Sequence, residues 1–76
     1  MYNGYKNNKT WRVAMQINGG GGEALMRFCR EFRGQSYTAL AEALQAFWGP
    51  TCPDGGFSWT DPQLCRTELT DVLKRV

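Results

Sequence analysis

Histidine is absent from the 76 residues of this chain. Histidine is the side chain that most often transfers protons near neutral pH, so its absence removes the usual centre of acid–base catalysis. The three cysteines, Cys29, Cys52 and Cys65, form no CxxC pair and are odd in number, which argues against a structural zinc site and a closed disulfide framework. We therefore predict a non-enzymatic protein with reduced cysteines, no metal and no cofactor.

Long apolar runs and a large net charge are missing as well. No stretch of about 18 apolar residues is present that could span a membrane, and reduced cysteines fit a cytoplasmic location. The net charge is +2, but residues 1–36 carry six basic and two acidic groups while residues 37–76 carry three and five. Such asymmetry either orients the domain on a charged partner or lets the two halves attract each other within the fold.

Aromatic residues, by contrast, are plentiful and concentrated at the start of the chain. Tyr2, Tyr5 and Trp11 stand among asparagines and lysines in the first eleven residues. A chain this short has a small core, which gains most from large aromatic side chains. Two interpretations of the three residues stay open: they form a contact surface, or they fold back and cover the core.

Apolar residues recur with helical spacing, which predicts an all-α fold in a single domain, residues 1–76. We expect a small bundle of one short N-terminal helix and three longer helices, joined by Gly/Pro turns. The predicted helices are, in chain order, residues 11–17, 23–33, 37–48 and 62–76. The alternative is an α+β fold in which residues 11–17 form a strand that pairs with residues 57–59.

Local signals predict where these elements start and stop. Residues capable of capping a helix N-terminus precede three of the helices, and we assign that role to Thr10, Ser36 and Asp61. Residues 1–9 form an N-terminal arm, and the four glycines 19–22 form a joint, because glycine is costly inside regular structure. The further turn signals are Gly34, Gly49-Pro50 and Pro53–Gly56.

The helical periodicity also predicts which side chains are buried. Cys29 and Cys65 fall on apolar helix faces and are expected in the core. The predicted apolar stripes are Leu25, Phe28, Cys29 and Phe32 in the second helix; Tyr37, Leu40, Ala41, Leu44, Phe47 and Trp48 in the third; and Cys65, Leu69, Val72, Leu73 and Val76 in the last.

Two blocks of residues carry a resemblance to a known family. They are Tyr2-Asn3-Gly4-Tyr5-Lys6-Asn7, Thr10-Trp11, Val13-Ala14 and Ile17-Asn18 near the start, then Pro53-Asp54-Gly55, Trp59 and Asp61-Pro62. The pattern YNGYKNxxTWxVAxxI … PDGxxWxDP resembles a family of small uncharacterised proteins of bacteriophages and mobile elements. That family usually carries an asparagine–acidic stretch before its second helix, where this chain has Asn18 and four glycines. The resemblance implies a phage-like source and a helical fold, but supplies no activity.

These observations favour a protein-binding role over a chemical one. Tyrosine, tryptophan and arginine are the commonest interface anchors, and the resemblance implies a host or phage protein as the partner. An anti-defence role like that of anti-CRISPR proteins would suit such a protein. The alternatives are a nucleic-acid-binding module, whose basic residues contact phosphates, and a homo-oligomer. The predicted contact residues are Tyr2, Tyr5, Lys6, Lys9, Arg12, Arg27, Arg30 and Arg33.

Overall fold

A computed structural model describes residues 1–76 and contains four α-helices and no β-strand. The helices are α1 (Asn8–Met15), α2 (Glu23–Arg30), α3 (Tyr37–Phe47) and α4 (Arg66–Arg75). The all-α prediction is confirmed. The α+β alternative is wrong, because residues 11–17 are helical and the chain forms only two isolated β-bridges, Tyr2–Tyr5 and Thr51–Ser58.

Helix α1 begins earlier than predicted, and its N-cap is Asn7 rather than Thr10. The Asn7 side-chain oxygen accepts a hydrogen bond from the Thr10 backbone N–H at 2.9 Å. Asparagine caps helices better than threonine, and Thr10 is left free for another role. Thr10 is fully buried inside α1. Its hydroxyl donates to Asn7 Oδ1 and accepts a hydrogen bond from the Cys65 N–H at 3.0 Å. Thr10 therefore ties α1 to the start of α4, and the N-terminal arm ends at Asn7.

The glycine joint follows α1 through a π-helical turn, Gln16–Gly20. Gly19 and Gly22 adopt φ angles of 110° and 103°, which side-chain-bearing residues reach only with strain. The backbone leaves helical geometry at Gly19, so the first two glycines end the helix and the last two lead into α2. The predicted joint lies where expected, but half of it belongs to the preceding helical turn.

Two helices are shorter than predicted. Helix α2 ends at Arg30 instead of Arg33 and passes into a turn that includes Gly34 at φ 80°. Helix α4 begins at Arg66 instead of Pro62. The Asp61 carboxylate accepts the Gln63 N–H at 2.8 Å, so this residue closes a tight turn rather than capping a helix. The Asp61-Pro62 pair is compatible both with the start of a helix and with a tight turn, so the sequence alone did not distinguish the two.

The core lies where α4 packs against α1 and α3. Its apolar members are Val13, Ala14, Ile17, Leu25, Cys29, Tyr37, Leu40, Ala41, Leu44, Cys52, Trp59, Leu64, Leu69, Val72 and Leu73. The stripes of α2, α3 and α4 thus supply most of the core, as predicted. Cys29 is buried as predicted, but Cys65, which was also predicted to lie in the core, is only half-buried. Cys52, whose burial the sequence did not predict, is fully buried.

The long connection between α3 and α4, residues 48–65, is held against the core. Trp59 is fully buried, and its indole N–H donates to the Gly49 carbonyl at 3.0 Å. The Tyr37 hydroxyl of α3 donates to the Trp59 carbonyl at 2.6 Å. The Cys52 N–H donates to the Phe57 carbonyl at 2.8 Å. A segment without helix or strand therefore contributes the largest side chain of the core.

The C-terminal end of α3 points out of the fold, which corrects the prediction that Phe47 and Trp48 are core residues. Phe47 is 80% exposed and Trp48 is 41% exposed. Phe47 is the last residue of α3, and the chain turns away at Gly49-Pro50, so the buried stripe of this helix ends at Leu44. Each of the four helices falls short of the length and apolar character needed to cross a membrane.

Candidate functional site

The three aromatic residues of the opening segment have different environments. Tyr5 is half-buried and packs against the core. Tyr2 is 41% exposed, and its ring lies 5.3 Å from the ring of the half-buried Trp11. Tyr2 and Tyr5 exchange two backbone hydrogen bonds, which fix the arm in a turn. Tyr5 therefore covers the core, whereas Tyr2 and Trp11 form a pair at the surface.

Two predicted contact residues of α1 are engaged in ion pairs with the acidic half of the chain. Lys9 Nζ lies 2.9 Å from Asp61 Oδ2, and Arg12 Nη1 lies 2.9 Å from Asp54 Oδ1. The hydrogen bond from Lys9, followed by that from the Gln63 N–H, lowers the pKa of Asp61 from its ordinary value. In these two ion pairs, basic residues of the N-terminal half of the chain bind acidic residues of the C-terminal half, so the charge asymmetry of the sequence stabilises contacts within the fold.

The remaining basic residues of the N-terminal half are less constrained. Arg27 pairs with Glu23 one helical turn away, and both side chains are exposed. Arg30 and Arg33 are exposed and have no carboxylate within 4.0 Å. Lys6 donates its backbone N–H to Glu68 and leaves its ammonium without an ion pair. Arg30, Arg33 and Lys6 are thus available to a partner.

An aromatic cluster that the helical periodicity predicted to be buried is only partly covered: Phe28 and Phe32 pack against the core, whereas Phe47 and Trp48 are exposed. The Phe28 ring centroid is 5.8 Å from that of Phe32 and 5.5 Å from that of Trp48. Phe28 and Phe32 are half-buried and pack against the core, and Phe47 is linked to this cluster through its chain neighbour Trp48 rather than by a ring contact. We call these four residues the aromatic face. The signal that could have revealed it is the pair of consecutive aromatics directly before Gly-Pro, where the helix must end.

A second surface feature is a cleft of about 470 Å³ between the end of α1 and the turn at residues 53–54. It is lined by Trp11, Met15, Gln16, Gly20, Gly21, Pro53 and Asp54. Gln16 is 5% exposed, and its Oε1 atom is buried without a hydrogen-bond partner. Buried polar atoms nearly always have a hydrogen-bond partner, so an unpaired amide oxygen in the lining of this cleft is unusual. No predicted contact residue other than Arg12 is joined to the cleft by a hydrogen bond.

The cysteines lie in surroundings that disfavour the reactive thiolate. Burial raises the pKa of Cys29 to about 12 and also raises the pKa of Cys52. The thiolate is the nucleophilic form of cysteine, so both thiols are poor nucleophiles in the folded protein. No group of three histidine, cysteine, aspartate or glutamate residues lies close enough to hold a metal ion.

No protein-family model, curated protein or solved structure matches this chain. The resemblance to small phage proteins therefore stays a prediction. The function is inferred from the surfaces described above: the aromatic face, the free cations and the cleft.

Proposed function

We propose that this protein is a non-enzymatic accessory protein that binds a protein partner through the aromatic face. The observation that carries the proposal is the exposure of two consecutive aromatic residues: Phe47 is 80% exposed, and Trp48, which follows it in the chain, is 41% exposed. Exposed apolar clusters of this kind are typical of interaction sites. Tryptophan and arginine dominate the binding energy of many interfaces, and Trp48 and the arginines of α2 offer both.

The exposed area of the aromatic face is large enough for the centre of a protein–protein interface but too small for a complete interface. A large aromatic side chain has about 150–250 Å² of surface, so Phe47 and Trp48 together expose roughly 260 Å². A stable interface buries about 800 Å² on each partner. At about 25 cal/mol per Å², covering the two rings would contribute roughly 6 kcal/mol before the costs of association.

The charges that flank Phe32 in the sequence support a partner with acidic groups. Arg30 and Arg33 lie in or just after α2 and flank Phe32 in sequence, together with one acidic residue, Glu31, and none of the three charged residues has an ion pair. We infer that the partner presents an apolar patch bordered by aspartate or glutamate. A nucleic-acid partner is less well supported, because Lys9 and Arg12 would have to leave their carboxylates to contact phosphates.

The biological setting is proposed from the resemblance. A phage-type protein of this kind would bind a host or phage protein, and blocking a surface of a host defence system, as anti-CRISPR proteins do, would require no chemistry. The raised pKa of Cys29 and the absence of histidine support a non-enzymatic role.

The proposal is tested by measuring the affinity of a protein captured from the host for three variants. We expect Phe47→Ala and Trp48→Ala to weaken binding roughly tenfold or more, since each removes a central anchor. Tyr2→Ala is the matched control, because Tyr2 is as exposed as Trp48 but lies outside the face. Circular dichroism establishes that each variant is folded.

Salt dependence provides the second measurement. Apolar burial is not screened by salt, so affinity should change only modestly between low and high salt. A nucleic-acid complex would instead lose affinity steeply, with a slope near about −0.9 per phosphate contact. A steep salt dependence, or an effect of Tyr2→Ala larger than that of Trp48→Ala, would contradict the proposal.

A further inference from the structure

The cleft beside Trp11 is separate from the aromatic face, none of whose residues lines it. Its volume of about 470 Å³ lies within the range of small-molecule sites, about 300–1,000 Å³. The turn Gln16–Gly20 that ends α1, in which Gly19 is non-helical, contributes Gln16 and Gly20 to the wall of the cleft. An inference about this cleft therefore does not depend on the proposed function.

The cleft is rich in hydrogen-bond acceptors that have no donor. Asp54 Oδ1 accepts from Arg12, whereas Oδ2 makes no hydrogen bond. Gln16 Oε1 is buried and unpaired, and the Gly21 carbonyl accepts no hydrogen bond from the chain. Because Gln16 Oε1 has no accessible surface, a ligand would reach it only after rotation about the last bond of the side chain, which is soft. A ligand that supplies several donors would satisfy these atoms.

The other wall of the cleft is apolar and aromatic. Trp11 is half-buried, so part of its indole ring is accessible, and the Met15 side chain is 42% exposed. Tryptophan is the best aromatic partner for a cation placed over its ring. The cleft thus combines an aromatic surface with a carboxylate and further oxygen acceptors.

We propose that this cleft binds a guanidinium group, either of free arginine or of an arginine side chain in a partner. Guanidinium is planar, carries five N–H donors, stacks on aromatic rings and is less strongly hydrated than an ammonium group. It would stack on Trp11 and donate to Asp54 Oδ2 and to Gln16. Arg12 occupies only one Asp54 oxygen, so the carboxylate can serve two guanidinium groups.

The test is a titration of ¹⁵N-labelled protein with N-acetyl-L-arginine amide, followed by NMR. We expect the signals of the Trp11 indole N–H and the Gly20 and Gly21 amides to shift with a dissociation constant in the millimolar range. N-acetyl-L-lysine amide is the matched control. It carries the same charge but lacks the planar donors, so it should bind roughly tenfold more weakly. Free L-arginine distinguishes the source: tighter binding than the blocked amide indicates the free amino acid, and equal binding indicates a side chain.

Variants of the protein complete the test. Asp54→Asn should weaken arginine binding at least fivefold, roughly the loss expected for one charged acceptor. Phe47→Ala should leave it unchanged, which separates failure here from failure of the proposed function. No shift at millimolar concentrations, equal binding of the lysine compound, or tighter binding of guanosine, whose neutral ring offers a similar donor edge, would overturn the inference.

Discussion

Replacing Tyr37 with phenylalanine should destabilise the protein through a single hydrogen bond. The Tyr37 hydroxyl donates to the Trp59 carbonyl at 2.6 Å, and both residues are fully buried. That carbonyl accepts no other hydrogen bond. The substitution removes one oxygen atom and keeps the shape of the ring, so the packing of the core is preserved while the Trp59 carbonyl loses its donor.

The expected loss of stability depends on the Trp59 carbonyl, which the substitution leaves buried without a hydrogen-bond donor. A buried acceptor left unpaired costs about 1–3 kcal/mol, which exceeds the net contribution of an average hydrogen bond. We therefore expect Tyr37→Phe to lower the free energy of unfolding by about 2 kcal/mol. For a domain of this size the loss corresponds to a fall in Tm of roughly 8–16 °C.

Urea unfolding followed by far-ultraviolet circular dichroism measures the effect. With a slope of about 1 kcal/mol per molar urea, the midpoint should fall by about 2 M. Tyr5→Phe is the matched control, because the half-buried Tyr5 makes no side-chain hydrogen bond, and its stability should change by less than about 0.5 kcal/mol. Equal midpoints for the two variants would show that the bond to Trp59 contributes nothing and would refute the reasoning.

Two further predictions concern ionisable groups. In the native protein at mildly alkaline pH, the half-buried Cys65 should react with a thiol reagent well before Cys29 and Cys52, because burial raises the pKa values of those two thiols. Mass spectrometry of the labelled peptides identifies the order of reaction. Faster labelling of Cys29 than of Cys65 would contradict the prediction. Because Lys9 lowers the pKa of Asp61 below its ordinary value of 3.8, the stability from this pair is present above about pH 5 and is lost as pH falls through the native pKa. The stability difference between wild type and Asp61→Asn should therefore be constant near neutral pH and shrink below about pH 4; a difference that does not vary with pH would refute the role of the ion pair.

The helices could be predicted because their signals are local. The spacing of Leu25 and Cys29, and that of Leu40 and Leu44, specifies a buried face at helical period, and the structure buries all four. Ser36 caps α3 as its side chain suggests, accepting from the Ala39 N–H. Such patterns depend on residues within one or two turns, so no knowledge of the rest of the fold is needed.

Helix starts were harder to predict, because the same residues serve several local structures. Asp61-Pro62 suits the first turn of a helix and also a tight turn, and only the burial of Leu64 and the bond from Cys65 to Thr10 select the turn. Thr10 likewise looks like a cap but lies inside a helix that Asn7 begins. Local preferences of this kind differ by less than the energy of one tertiary contact.

The candidate site was the least predictable part. The sequence marked Lys9 and Arg12 as contact residues, but each has a carboxylate partner more than 40 residues away. It placed Phe47 in the core, whereas the helix carries it into solvent. Periodicity shows which side chains share a helix face, but whether another element covers that face depends on how the helices pack.

The sequence by itself predicted the class of fold: apolar residues recur at helical period in segments separated by glycines and prolines, which favours helices over strands in most of this short chain. The tertiary structure alone decided which charges pair, that Trp59 enters the core from an irregular segment, and that Phe47 and Trp48 stay at the surface. The reason is physical. Helix formation depends on neighbours in sequence, whereas burial and ion pairing depend on residues that meet only after the helices have packed.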